Sequence, residues 1–165
     1  GGAGRTHPAP GGRPGGGLYR RGRGARAVTR IDLLLYEGFD ELDAVGPYEV
    51  FRSAGERGAD LSASLVTLEP TATVTASHGL TVESQGVLAD PGTADAPDVL
   101  VVPGGGWNDR SAAGAWAEAE RGAIPEAVAA HAEAGGVLAG GCNAAPGPAR
   151  RGVPPGPPAA DHTGA

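Results

Sequence analysis

The apolar residues of this chain fall into short runs separated by turn-forming residues, and the spacing within the runs separates strands from helices. Ile31-Asp32-Leu33-Leu34-Leu35-Tyr36 is almost continuously apolar, as expected of a strand covered on both faces. The turn Glu37-Gly38-Phe39 follows it, and then Asp40 to Phe51, where Pro47 is placed to open a helix because its missing N–H costs nothing at a first position. That helix is predicted to run to about Arg57, with Val50, Phe51 and Ala54 on one face and Gly58 as its stop. Leu61 to Leu68 alternates and predicts a second strand. Thr71 to Thr75 and Leu80 to Glu83 alternate on either side of Ala76-Ser77-His78-Gly79, which predicts a hairpin. Asp98 to Val102 is another buried strand, broken by Pro103-Gly104-Gly105-Gly106. Residues 112–134 are Ala-rich with scattered Glu and predict helix, interrupted at Gly122 and Pro125. Val137 to Gly141 is the last predicted strand, and it delivers Cys142.

Strands that alternate with helices imply an α/β fold with a parallel sheet. Ligands of such sheets bind beyond the carboxyl ends of the strands. Three segments are predicted to converge there: Asp40–Pro47, Pro103–Trp107 and Gly141–Asn143.

Composition changes the picture at the two ends. Residues 1–30 hold ten Gly, repeated Pro, seven Arg and no acid, so they are predicted to be a disordered leader. Arg20-Arg21-Gly22-Arg23-Gly24 has a spacing that can bind RNA, but an unstructured extension or a misplaced start is the expected reading. The remaining residues hold six Arg and all 19 acids, near −13 net, which disfavours nucleic-acid binding. From Asn143 to Pro158 there are six Pro and, apart from Val153, no large apolar residue. Pro146 and Pro148 would each remove a bond from a helix starting at Asn143, so residues 143–165 are read as an atypical Pro-rich tail. No apolar run approaches the roughly 18 residues of a membrane span.

Candidate chemistry centres on Cys142, the only cysteine, which excludes an internal disulfide and a thiolate-rich metal site. A lone cysteine is often an inert core residue. At a strand-to-helix junction it would instead sit over free backbone N–H groups, which favour a thiolate and can hold a developing oxyanion. Asp43 is either an ordinary first-turn acid, with Asp40 and Glu41 competing for the cap, or a carboxylate that faces the thiol and passes a proton. Glu49 is expected to support structure or to solvate a face. Gly104-Gly105-Gly106 is not a phosphate-binding pattern, and its expected use is to let backbone approach a reacting group. His78, in the hairpin turn and expected to be merely exposed, and His162, in the tail, are the histidines weighed as a third catalytic member.

Three stretches together resemble the ThiJ/PfpI superfamily, the class I glutamine amidotransferase-like fold. They are Leu42-Asp43-Ala44-Val45-Gly46-Pro47-Tyr48-Glu49-Val50, Val101-Val102-Pro103-Gly104-Gly105-Gly106 and Val137-Leu138-Ala139-Gly140-Gly141-Cys142, in order, within about residues 30–142. The resemblance implies a flavodoxin-like three-layer sandwich with a mostly parallel sheet over residues 31–142, incomplete at the carboxyl end. It implies a nucleophilic Cys142 on a strained elbow, an acid at Asp43 that hydrogen-bonds it, and a homodimer. Asp followed by x-x-Gly-Pro is most similar to the isonitrile hydratase branch and to regulators that carry a helix-turn-helix domain. Relatives follow the cysteine with Thr-Gly and an apolar helix; here Asn143 and prolines stand there, and the later strands are absent, as in a truncated member.

The function expected on this basis is a cysteine-dependent hydratase or hydrolase acting on a small molecule in the cytoplasm. Cys142 is the nucleophile, Asp43 the general acid/base, the backbone of Gly105 and Asn143 the oxyanion donors, and His162 a possible third member. No metal or organic cofactor, nucleic acid or membrane is implied. A non-enzymatic ligand-sensing domain and an inactive remnant are the alternatives.

Overall fold

The computed structural model describes residues 28–141. Most of the predicted leader lies outside the described residues, as do Cys142, Asn143, His162 and the Pro-rich tail.

The elements are β1 (Thr29–Leu34), α1 (Glu41–Glu56), β2 (Leu61–Thr67), β3 (Thr73–Thr75), β4 (Thr81–Glu83), β5 (Gly86–Val87), β6 (Val99–Val102), α2 (Ala115–Arg121), α3 (Ala123–Glu133) and β7 (Val137–Gly140). Five strands form one parallel sheet in the order β5-β2-β1-β6-β7, and β3 and β4 form a separate antiparallel ribbon. This is the mostly parallel α/β, flavodoxin-like architecture expected from the alternation of elements.

The central strand β1 pairs with β2 from Thr29↔Leu61 to Leu34↔Val66, and with β6 from Ile31↔Val99 to Leu33↔Val101. Its near-continuous apolar sequence follows from being covered on both faces, and Leu33 and Leu34 are fully buried with Leu100 of β6 and Phe39. Each buried leucine contributes about 1.5–3 kcal/mol of hydrophobic transfer energy. β1 starts at Thr29, two residues before the predicted strand, because Thr29 and Arg30 continue the ladder to Leu61 and Ser62.

Helix α1 starts earlier than predicted. Asp40 is its N-cap and accepts from the Leu42 N–H at 3.1 Å, so Pro47 lies inside the helix and not at its first position. The apolar face also differs from the expected one. Ala44 is buried and Tyr48 and Phe51 pack on the core, whereas Val50 is 64% exposed. The predicted long helix over 112–134 is two helices, broken at Gly122 as expected. Pro125 is the third residue of α3, where no intrahelical N–H bond is required. β7 pairs with β6 from Val99↔Val137 to Val102↔Gly140, and Val137 is 58% exposed. No helix of the described residues is long and apolar enough to cross a membrane.

One acid interrupts the apolar run of β1. Asp32 is 5% exposed, and its burial pushes its carboxyl above the usual carboxylate value, opposed by the positive potential of Arg30 and of His131. A carboxyl with a raised folded pKa stabilises the fold below its ordinary value of 3.8, and loses that contribution as pH rises to the raised value. Asp32→Asn is therefore expected to raise the melting temperature at pH 7 and to flatten its fall between about pH 4 and the raised pKa. Thermal melts across pH check this; an unchanged slope refutes it.

Candidate functional site

The site forms where the chain leaves β1 and β6. These two strands are neighbours, yet β1 continues through α1 to β2 on one side, while β6 continues through α2 and α3 to β7 on the other. A crevice therefore opens beyond their carboxyl ends, at the point where the order reverses.

The two loops bordering it are joined through backbone. The Asp40 N–H donates to the Gly104 carbonyl at 2.8 Å, and the Ala115 N–H donates to the Gly105 carbonyl at 2.7 Å. The Tyr36 hydroxyl, at the end of the β1 run, donates to the Pro103 carbonyl and lies 3.1 Å from the Gly104 carbonyl. Burial, reinforced by the negative charges of Asp43, Glu118 and Asp40, pushes the Tyr36 phenol well above its ordinary value, so it stays a donor. Gly105 has φ +131°, and a Cβ there would stand 2.6 Å from the Gly38 carbonyl oxygen and 2.7 Å from the Asp40 nitrogen. The glycines were expected to let backbone approach a reacting group; what approaches Gly105 is the backbone of the β1–α1 loop.

Asp43, in the first turn of α1, faces inward. Its Oδ2 accepts from the Gly104 N–H at 3.0 Å. A Cβ on Gly141 would overlap that same oxygen and lie 2.7 Å from Asp43 Cγ. Gly141 is in turn anchored by its N–H to the Val102 carbonyl at 2.9 Å. The Asp43 carboxylate thus lies directly against Gly141, the last of the described residues. The Gly105 N–H has no acceptor among the described residues.

A cavity of about 620 Å³ extends from these groups and is lined by the β1–α1 loop, the hairpin turn at Thr75–His78, and the loop from Gly105 to Ala113. Trp107 of that loop meets Trp116 of α2 edge-on, with ring centroids 5.2 Å apart. Arg110 lays its guanidinium over the Trp116 ring, 4.8 Å from the centroid. These contacts tie the loop to α2.

The hairpin wall is held by Glu41. His78 donates its backbone N–H to Glu41 Oε1 at 2.6 Å, and its Nδ1 lies 2.8 Å from Glu41 Oε2. The Ser77 hydroxyl also reaches Glu41 Oε2, at 3.1 Å. The bond to His78 holds the Glu41 carboxyl down at about 2, and the same partner holds His78 above its ordinary value. His78 is exposed as expected, but it is a tethered residue and not a free one. Both Ser77 and Glu41 meet the same imidazole nitrogen, so the three do not form a relay from Ser77 through His78 to Glu41.

Of the residues singled out in the sequence, the structure brings Asp43 and Gly105 together with Gly141, and leaves Glu49 exposed on α1. Cys142, Asn143 and His162 lie outside the described residues. Tyr36, Glu41, Ser77 and Trp107 were not anticipated. The only sequence signals for them were an aromatic ending a buried strand and a second acid beside the helix cap. The described residues contain no cluster of three or more His, Cys, Asp or Glu able to hold a metal ion.

The DJ-1/PfpI family model matches residues 29–156. No curated protein matches the chain significantly. Among solved structures, Drosophila melanogaster DJ-1beta is similar at TM-score 0.60 and 23% identity, over 77% of this chain and 62% of its own. Oxidized Toxoplasma gondii DJ-1 is similar at TM-score 0.55 and 20% identity, over 71% of this chain and 57% of its own. A THiJ/PfpI family protein from Pseudomonas syringae is similar at TM-score 0.53 and 21% identity, over 68% of this chain and 41% of its own. The chain therefore spans about half the length of these structures, and the likeness is one of fold.

Two outcomes test this geometry. Gly105→Ala forces a side chain into backbone at a left-handed position and is expected to cost about 1–3 kcal/mol, read as a lower urea midpoint at unchanged slope. Glu41→Gln removes the charge that holds His78 protonated, so the imidazole midpoint followed by NMR should fall back toward 6.5. Below 6.5, and above the Glu41 value of about 2, the wild-type pair is formed, and it is lost as pH rises through the raised His78 value. An unshifted midpoint in the variant excludes the tether.

Proposed function

Since the chain belongs to the DJ-1/PfpI family, we propose that it is a cysteine-dependent hydratase or hydrolase of a small molecule, acting on an isocyanide or a similar carbon electrophile. Cys142 is the nucleophile, Asp43 the general acid/base, and the backbone N–H groups of Gly105 and Asn143 hold the charge that develops on the substrate.

The observation that carries this reading is the position of the Asp43 carboxylate. It abuts Gly141, one residue before the only cysteine, and is fixed by the Gly104 N–H. A carboxylate so held can take the thiol proton and return it to substrate without reorganising. The lining position of Gly105 and its unused N–H support its role as a charge-stabilising donor.

The Cys142 sulfur forms a bond to the terminal isocyanide carbon, and the thiol proton passes through Asp43 to that carbon, leaving a thioimidate. Water adds to the same carbon, the nitrogen takes a proton, and the carbon–sulfur bond breaks. The products are an N-substituted formamide and the regenerated thiol, with one water consumed.

Incubation of the protein with an alkyl isocyanide should release formamide. Cys142→Ala should abolish turnover, and Asp43→Asn should lower kcat by about 10²–10⁴, the range associated with loss of a general acid/base. A Cys142→Ala variant that matches the parent rate ends this reading.

A further inference from the structure

The loop that leaves β6 forms one wall of the cavity, and its neck is fixed while its tip is not. At the neck the Ala115 N–H donates to the Gly105 carbonyl at 2.7 Å, and the Ser111 N–H donates to the Gly106 carbonyl at 3.1 Å. Gly106 (φ +63°) and Gly114 (φ +112°) are left-handed there, and a Cβ on either would stand 2.8 Å from a carbonyl oxygen, that of Ala113 or of Gly105. The neck thus closes backbone against backbone. From Trp107 to Arg110, by contrast, no hydrogen bond leaves the loop among the described residues. Asn108, Asp109 and Arg110 are exposed.

Two ring contacts on one residue of α2 hold the tip down. Trp107 meets Trp116 edge-on at 5.2 Å between centroids, and the Arg110 guanidinium lies 4.8 Å from the centroid of the same Trp116 ring. That guanidinium is in no ion pair among the described residues, so the ring is its anchor. Against these contacts stands the backbone of Arg110 itself. Its φ is +50°, and among the described residues no other side-chain-bearing residue has a positive φ. A Cβ in that conformation crowds the following carbonyl oxygen, which costs free energy for as long as the tip stays down. An exposed cation–π contact and one aromatic edge contact return a free energy of the same order. The seated tip is therefore held by a small difference between attraction at Trp116 and strain at Arg110.

We propose that residues 107–110 are a latch on the cavity, closed by Trp107 and Arg110 on Trp116 and opened when Arg110 leaves the ring and relaxes its backbone. Trp107, Asn108 and Asp109 line the cavity, so their departure widens its mouth. The neck does not take part. Gly105 stays tied to Ala115, and Gly104 stays tied to Asp40 and to the Asp43 carboxylate, so the latch changes access without disturbing the groups at the strand ends. Such a device needs two arrangements of nearly equal free energy, and the opposed terms at Arg110 and Trp116 supply them. It concerns entry to the cavity and is independent of the reaction carried out there.

The chain has two tryptophans, and both belong to the latch. Two indoles in contact give coupled bands of opposite sign in circular dichroism, whose amplitude follows the closed population. Quenching of their fluorescence by acrylamide follows the open one. Both are measured on the full chain and on two variants at the exposed position 110, outside the neck. Arg110→Ala removes the cation–π contact and keeps the strain. Its closed-to-open ratio should fall by about two- to fivefold, with a smaller coupled signal and stronger quenching.

Arg110→Gly removes the contact and the strain together, because glycine takes a positive φ without cost. It should recover most of the coupled signal and most of the protection from acrylamide. The expected order of closed population is therefore the parent and Arg110→Gly above Arg110→Ala. An Arg110→Ala chain with the signal and quenching of the parent overturns the latch, since the contact would then hold nothing. An Arg110→Gly chain as open as Arg110→Ala also overturns it, since strain at position 110 would then oppose nothing.

Discussion

Two loops that leave adjacent parallel strands in opposite directions must still cover the polar backbone exposed where they part. Here they cover it with each other. The Asp40 N–H meets the Gly104 carbonyl, the Gly104 N–H meets the Asp43 carboxylate, and the Tyr36 hydroxyl spans the carbonyls of Pro103 and Gly104. So close an approach requires position 105 to lack a side chain, since a Cβ would overlap the Gly38 and Asp40 backbone. Satisfying backbone groups and building a site are therefore one constraint, because the carboxylate that answers the Gly104 N–H also rests on Gly141.

Elements whose signal is local were legible in the sequence. β1 and β6 are short, nearly continuous apolar runs, and no surface strand is written that way. The break at Gly104-Gly105-Gly106 and the acid at Asp43 stand out in the sequence, but the purpose of the break does not: what Gly105 admits is the backbone of the β1–α1 loop and not a reacting group. The start of α1 was misread because Pro47 is a strong signal for a first position, while the weaker one, Asp40 as cap with Glu41 and Asp43 in the first turn, was the one the fold uses. β5 has only two residues, too few for any periodicity.

What the sequence hid is pairing across distance. Glu41 and His78 are 37 residues apart, and nothing in either segment announces the other. Their contact exists only because the β3–β4 ribbon docks on the β1–α1 loop, where Gly38 donates to the Thr75 carbonyl and Ser77 donates to the Phe39 carbonyl. The edge-on contact of Trp107 with Trp116 depends in the same way on how the loop after β6 folds back on α2. A residue reads as merely exposed until the neighbour that holds it has been placed.

The electrostatics of the cavity also bear on how a thiol could work beside it. Neighbouring carboxylates disfavour a further negative charge, so a wall holding Glu37, Asp40, Asp43 and Asp109 opposes a standing thiolate. A mechanism that begins from a stored thiolate–imidazolium pair would need a cation at the site, and the one histidine among the described lining residues is held by Glu41. A mechanism in which the proton leaves sulfur only as the carbon–sulfur bond forms avoids that cost. It requires a carboxylate already in place to receive the proton, which is the role the Asp43 carboxylate can fill while the Gly104 N–H holds it still.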